Sequence, residues 1–293
     1  MIAVDLAVDG SDVLGESAVW MPESGTLFWL DLMRPKLNSL VLATGEFSSR
    51  EMDSNVPLGA LVRSAIPERL VLAKRDGIVL LNPADGAELP LAHPARGRHD
   101  LGYNDAVADQ HGRLWIGTCE LSESRATAVL YAVGTDGSSE IADDGFIVCN
   151  GPVFSPDGST MYFSDTLSRT VLAYDLDGGG RLSGKRVFAR IDESEGFPDG
   201  LAVDSEGGVW VAHWGGGRIS RWSSQGVRSE TVLLPTTNVT SLAFAGPELS
   251  TLFVTTASDP FDDGPASPGS GALYVLDSGV SGAPGWPCAL GGA

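Results

Sequence analysis

Four oxygen-bearing side chains stand at one position of a pattern that recurs along the chain. The clearest copy begins with Asp199 in a Pro-Asp-Gly turn, followed by a strand-like run and a polar turn. Such a turn can aim a carboxylate through its backbone geometry. The four side chains lie 11 or 12 residues before the aromatic marker of their own copy: Glu16 before Phe28, Asn104 before Trp115, Asn150 before Tyr162 and Asp199 before Trp210.

Two carboxylates and two amides suit one kind of ligand. Grouped inside a protein, they are costly to bury unless a cation or hydrogen-bond donors compensate them. Oxygen ligands favour Ca²⁺, Mg²⁺ or Mn²⁺, with Fe²⁺ or Zn²⁺ at lower preference. Asn-Gly and Asp-Gly are also ordinary turn sequences. The shared spacing of all four residues favours a site for one divalent cation over four unrelated turns.

The elements that position these residues are strands. Short apolar runs alternate with turns rich in Gly, Pro, Asp and Ser, and helical periodicity is almost absent, which indicates an all-β chain. A turn-then-strand unit recurs six times, at steps of 43, 44, 47, 48 and 43 residues. The marker residues are Phe28, Val71, Trp115, Tyr162, Trp210 and Phe253.

Six multi-stranded units at this period predict a six-bladed β-propeller that occupies residues 1–293 as a single domain. A solenoid could show a similar period, but the strand-only pattern favours a closed ring. The last unit is one strand short. Residues 1–8, which alternate in polarity, could supply that strand, and so could the tail Trp286–Ala293.

The innermost strand of each blade lines the central channel of a propeller, so equivalent positions from different blades converge near its axis. We therefore expect Glu16, Asn104, Asn150 and Asp199 to meet there. The second unit offers only Leu58 or Gly59 at this position, and the sixth offers Thr240 or Ser241.

The composition of the chain indicates which kinds of partner and which compartment to expect. The net charge of −19 repels phosphate backbones and anionic lipid, so we expect neither a nucleic-acid nor a membrane partner. Three scattered cysteines without CxxC spacing argue against a disulfide framework. The amino-terminal stretch has Asp5 where a signal peptide would be basic, and no run is long enough to span a membrane. These features predict a cytoplasmic protein.

Other chemistry-bearing residues are weaker candidates. His213 could act as a base, but a single histidine beside a tryptophan is more often a hydrogen-bonded packing residue. A Gly-x-Ser-x-Gly nucleophile motif is absent from the sequence. Two glycine-rich stretches, 178–184 and 259–271, could be lids over a site or plain solvated connectors.

Six segments carry a family resemblance, in colinear order over nearly the whole chain: Leu14-Gly-Glu16, 103–118, 150–158, 198–207, 212–216 and 240–246. They resemble the senescence-marker-protein/gluconolactonase/regucalcin family. Segment 150–158 looks closest to the bacterial sugar-acid lactonases of that family.

The resemblance implies a six-bladed propeller that hydrolyses aldonolactones. It implies one divalent metal held by Glu16, Asn150 and Asp199, with Asn104 contacting the substrate or a metal-bound water. Asp199 is then the candidate general base for the attacking water. Aryl-lactone or phosphotriester hydrolysis on the same metal, and a metal-binding propeller without catalysis, are the alternatives.

The chain departs from the family pattern in two places. Many members carry an arginine two residues before the asparagine, where this chain has Gly102. A substrate-facing glutamate of the same blade is replaced near Ser122, although Glu120 and Glu123 are close by. Both departures bear on the preferred substrate more than on the metal.

Overall fold

The computed structural model describes residues 2–54, 56–258 and 268–292. In these residues, 24 strands form six four-stranded antiparallel sheets, and the helical structure is one short 3₁₀ turn, Glu193–Glu195. This arrangement confirms the predicted all-β, six-bladed propeller. The one helical segment that is described has neither the length nor the apolar character needed to cross a membrane.

The blades follow one another along the chain. Blade one contains β2 (Gly15–Met21), β3 (Thr26–Asp31), β4 (Lys36–Val41) and β5 (Glu46–Glu51). Blade two contains β6 (Leu58–Arg63), β7 (Leu70–Lys74), β8 (Gly77–Leu81) and β9 (Glu88–Ala92). Blade three contains β10 (Leu101–Ala108), β11 (Leu114–Glu120), β12 (Ala128–Val133) and β13 (Ser139–Phe146).

The remaining three blades repeat this plan. Blade four contains β14 (Cys149–Phe154), β15 (Thr160–Asp165), β16 (Thr170–Leu176) and β17 (Leu182–Arg190). Blade five contains β18 (Phe197–Val203), β19 (Val209–Trp214), β20 (Arg218–Trp222) and β21 (Arg228–Leu233). Blade six contains β22 (Val239–Ala245), β23 (Thr251–Thr256), β24 (Leu273–Asp277) and β1 (Val4–Val8).

Blade six is assembled from both ends of the described chain. Its outer strand β1 pairs antiparallel with β24, with Val4 opposite Leu276. The carboxy-terminal tail is not part of this sheet. It crosses the face of the ring at which each inner strand ends, which we call the lower face. There Ala283 N donates to Val203 O at 2.9 Å, and Cys288 N donates to Arg63 O at 2.8 Å. Of the two closing segments considered above, the structure has residues 4–8 in the sheet.

Every inner strand carries a β-bulge near its beginning, at the end of the ring that we call the upper face. In β2 the bulge lies between Glu16 and Val19, and the other five inner strands shift register at the corresponding point. A bulge bends its strand and re-aims side chains. Six bulges at one level therefore form a ring around the upper channel.

Hydrogen bonds link neighbouring blades at this level. The hydroxyl of Ser17, a residue at φ 58°, accepts from Leu61 N at 2.7 Å. Ser164 Oγ donates to Asp199 O at 2.8 Å, and Thr240 Oγ1 donates to Gly15 O. At Gly59 the blades are too close for a side chain, because a Cβ would lie 2.6 Å from the carbonyl oxygen of Tyr103.

Buried tryptophans with carboxylate partners fix three of the blades. The indole nitrogens of these tryptophans donate at 2.8–2.9 Å in the pairs Trp29–Asp12, Trp115–Asp109 and Trp210–Asp204. A buried indole N–H needs such an acceptor. Asp204 also accepts from Arg221 Nε at 2.7 Å, so its charge is compensated.

The structure describes all of one glycine-rich segment and only part of the other. The 178–184 segment joins β16 to β17 at the end of blade four opposite Asn150, where Arg113 donates to Gly180 O at 3.2 Å. Of the two interpretations, lid or connector, the position of this segment away from Asn150 favours the connector. Of the other segment, residues 259–267 lie outside the described residues.

Candidate functional site

The four predicted residues lie at the bulges of blades one, three, four and five, but at two adjacent positions. Glu16 and Asn150 are the last paired residues before their bulges, whereas Asn104 and Asp199 are the first residues within theirs. The prediction of a single repeat position is thus wrong by one residue. The last pairs of the inner strands enclose residues 22–25 in blade one, 155–160 in blade four, 109–113 in blade three and 204–208 in blade five. These segments differ in length, so a count of residues to the marker does not reveal the offset.

Side-chain contacts bring three of the four together. Asn104 Nδ2 donates to Asn150 Oδ1 and, at 2.9 Å, to Cys149 O. Asn150 in turn donates to Thr166 Oγ1 at 3.2 Å, and its side chain is near enough to the Asp199 carboxylate to oppose the rise in the pKa of that group. Both N–H groups of the Asn104 amide are therefore occupied within the protein. Its carbonyl oxygen is the atom that it can offer to a ligand.

The carboxylates at this level perturb one another. Asp199 and Asn150 are buried, while Glu16 is half-buried on the channel wall. Burial, together with the nearby Asp105 carboxylate, raises the pKa of Glu16 to about 8. Burial and the charge of Glu16 raise the pKa of Asp199 well above its ordinary value. Negative charge is thus strongly disfavoured here in the absence of a cation.

Asp105 is a third carboxylate that the sequence analysis missed. It is half-buried in the bulge of β10, and its Oδ2 accepts from Gly151 N at 2.9 Å. Burial raises its pKa to about 6, and the backbone N–H groups of Ala106 and Gly151 oppose that rise. Its place directly after Asn104 was the available signal, because a two-residue bulge can turn both of its side chains toward neighbouring blades.

A single divalent cation fits this set of donors. In the part of the chain that the structure describes, no lysine or arginine forms an ion pair with Glu16, Asp105 or Asp199. No group of three or more His, Cys, Asp and Glu side chains in those residues is arranged to hold a metal. A metal here would therefore need the amide oxygen of Asn150 beside the carboxylates, and oxygen-only ligands of this kind suit hard cations.

The rim of the upper face around Gly102, next to Asn104, is formed in part by an apolar side chain. Gly102 precedes the bulge, and a Cβ there would lie 3.2 Å from Leu121 Cδ2. Leu121 is exposed. The Glu120 carboxylate is held by the Ser122 hydroxyl at 2.6 Å and by Arg125 Nη2 at 2.6 Å, and these contacts lower its pKa to about 2. Glu120 thus stabilises its own loop, and Leu121 covers the space beside Gly102.

His213 is a packing residue adjacent to the site. It lies opposite Pro198, and its Nδ1 is 2.9 Å from Glu195 O. Its Nε2 is 2.7 Å from Ser220 Oγ, which also accepts from Trp222 Nε1. Because Glu195 O can only accept, Nδ1 carries the proton of the neutral ring, and Nε2 accepts from the Ser220 hydroxyl. Burial lowers the pKa of His213 to about 4, so the ring is neutral at pH 7.

The fold and these residues define a six-bladed propeller with a carboxylate–amide centre at the upper end of its axis. Residues 14–258 match the SMP-30/Gluconolactonase/LRE-like region, and the chain belongs to that family.

Known proteins resemble the chain over almost its full length. It is 33% identical to a pentonolactonase of Haloferax volcanii, with 97% of each chain covered. It is 32% identical to a 6-deoxy-6-sulfogluconolactonase of Pseudomonas putida, with 84% of each covered. The structure of a calcium-binding regucalcin from Agrobacterium tumefaciens superposes with a TM-score of 0.89 at 28% identity, covering 98% of this chain and 97% of that one.

Proposed function

We propose that the protein is a lactonase that hydrolyses sugar lactones to sugar acids with one divalent cation held by Glu16, Asn150 and Asp199. The observation that carries this proposal is the pair of carboxylates, Glu16 and Asp199, grouped with Asn150 at the channel mouth without a basic partner among the described residues. The names of the relatives support the reaction, since a pentonolactonase and a sulfogluconolactonase both open sugar lactone rings.

The contacts of each residue indicate its role in the reaction. A bound divalent cation supplies Lewis acidity toward the lactone carbonyl and lowers the pKa of a bound water. Asp199 accepts the proton of the attacking water. Glu16 and Asn150 would hold the cation together with Asp199, and Thr166 orients the amide of Asn150.

Asn104 orients the substrate. Its two N–H groups are committed to Cys149 O and Asn150 Oδ1, so the carbonyl oxygen remains to accept a hydroxyl of the sugar ring. The same contacts couple substrate orientation to the metal ligand Asn150. A change at Asn104 therefore affects both functions.

Aryl lactones are the second candidate substrate class. The exposed Leu121 beside Gly102 favours them, because it presents an apolar surface at the rim where an arginine would contact hydroxyl groups. Sugar lactones remain the first candidate, since both lactonase relatives act on them by name.

The test is proton release from sugar and aryl lactones by protein stripped of metal and reloaded with each divalent ion. Turnover on a sugar lactone that one metal restores, and that Asp199→Asn lowers by at least about 100-fold, is expected. Asp136→Asn, at an exposed turn on the lower face, is the matched control. If metal raises the melting temperature without turnover, the protein is a metal-binding propeller, and if metal changes neither, the cation site is wrong.

A further inference from the structure

Below the bulges, the channel changes from polar to apolar. The first residue after each bulge is aliphatic in all six inner strands, and these residues line a cavity of about 490 Å³. They are Val19, Leu61, Ala106, Val153, Leu201 and Leu242. We call this ring the aliphatic belt.

The cavity lies below the proposed catalytic centre and adjoins it at Asp105. Glu16, Asn104, Asn150 and Asp199 are all absent from its lining, whereas Asp105 and the hydroxyl-bearing Ser17 and Ser241 stand at its upper end. Aromatic rings line the lower end, where Phe154 packs edge-on against Trp286 at 6.2 Å between ring centroids.

The tail passes across the lower end. Residues 283–286 line the cavity, and Gly285 O accepts from Arg63 Nη2 at 3.0 Å. Arg63 also lies 3.8 Å from the Glu23 carboxylate, so its charge is already engaged. The lower end thus presents apolar and aromatic surface instead of a free cation.

We propose that this cavity is a second small-molecule site, for an uncharged ligand that has an apolar body and one hydroxyl donor. Its volume lies within the range of about 300–1,000 Å³ that is typical of ligand pockets. The aliphatic belt and the aromatic end bury the apolar body. A phenol with a short alkyl chain has this chemistry.

Asp105 binds the hydroxyl end of the ligand and so determines which ligands the cavity accepts. Its carboxylate accepts from the backbone N–H groups of Ala106 and Gly151, which leaves lone pairs free to accept a further donor. A carboxylate at the upper end repels anionic ligands. The site therefore prefers a neutral donor and discriminates against a ligand of the same shape that lacks one.

Binding of 4-butylphenol and of its methyl ether to the full, metal-loaded chain tests the proposal by calorimetry. The phenol binds about tenfold more tightly than the ether, because only the phenol donates to a charged acceptor. The carboxylate 4-butylbenzoate, an anion of similar size, does not bind. A sugar lactone does not displace the phenol, since the two sites share none of the four catalytic-centre residues.

Filling the cavity gives the second arm of the test. Ala243 lines the cavity from β22, and Ala243→Phe abolishes phenol binding, while Ala243→Leu, a milder substitution in case the first does not fold, weakens it. Ala87→Phe, at an exposed position, is the matched control and binds the phenol normally. Unchanged binding to a folded Ala243 variant, equal affinity for the phenol and the ether, or displacement by a sugar lactone overturns the proposal.

Discussion

The carboxylate of Asp105 accepts a hydrogen bond of 2.9 Å from the backbone N–H of Gly151 in the next blade. Gly151 has φ 48° and directly follows Asn150. A charged acceptor on blade three thus fixes the backbone beside a proposed metal ligand on blade four. Asp105 positions the site as well as adding charge to it.

Two substitutions of Asp105 should separate the effect of its charge on metal binding from the effect of its hydrogen bond on stability. Asp105→Asn keeps an oxygen for Gly151 N but removes the charge, and we expect weaker divalent-ion binding by about 10-fold to 100-fold with little loss of stability. Asp105→Ala also leaves the buried Gly151 N–H unpaired, which costs about 1–3 kcal/mol of unfolding free energy. Calorimetric metal titration and urea unfolding measure the two quantities. Metal binding at the wild-type level in both variants would contradict the assignment.

Changes at Asn104 should alter metal affinity and substrate binding together. Asn104→Ala removes the donor to Asn150 Oδ1 and the free carbonyl oxygen, so both the metal dissociation constant and KM rise by about tenfold. Asn104→Asp retains an acceptor oxygen but loses the amide donors. If Asn104→Ala raises KM while metal affinity stays constant, the contact with Asn150 has no role in holding the ligand.

The buried histidine should make stability depend on pH. The pKa of His213 is about 4 in the fold, below its ordinary value of 6.5. The unfolded chain therefore takes up a proton near pH 6.5 that the folded chain refuses until about pH 4. Stability from this residue is complete above pH 6.5 and falls by up to about 3 kcal/mol as the pH drops toward 4.

Denaturant unfolding between pH 7.5 and 4.5 measures this slope, and His213→Gln provides the comparison. Glutamine keeps a donor but does not titrate, so the variant should lose less stability than the wild type on acidification. The raised pKa values of Glu16 and Asp105 act in the opposite direction and are common to both proteins. Parallel slopes in the two proteins would show that the fold does not lower the pKa of His213.

Removal of β1 should destabilise the whole ring. A variant that begins at Asp9 leaves β24 with an unpaired edge and exposes apolar surface now covered by Val4 and Val8. We expect the unfolding free energy to fall by about 3–5 kcal/mol, the value for burying two valine-sized side chains. An added peptide of residues 2–8 should restore part of it. An unchanged urea midpoint would mean that β1 is dispensable.

Much of the architecture could be predicted because its signals are local. Turn residues and alternating strands repeat at 43–48 residues, and the number of repeats predicts the number of blades. The residue pattern also indicated that Glu16, Asn104, Asn150 and Asp199 stand near one level. These features depend on residues close together in the chain.

The finer geometry depends on register, which spacing alone does not reveal. The bulge after Asn150 and the one that contains Asp199 start at different points relative to their turns, so a count of residues placed them together when they are one position apart. Asp105 was missed because its partner, Gly151 N, lies 46 residues away on another blade. The cavity was invisible for the same reason, since its belt takes one residue from each blade.

The pairing of β1 with β24 also affects how the protein can fold during its synthesis. Residues 4–8 are synthesised well before their partners at 273–277. Five blades can form before β24 is synthesised, but the sixth cannot be completed until β24 is available to pair with β1. The ring therefore closes through its longest-range contact, which favours slow final folding. Until then, the unpaired strand β1 is open to capture by a neighbouring chain.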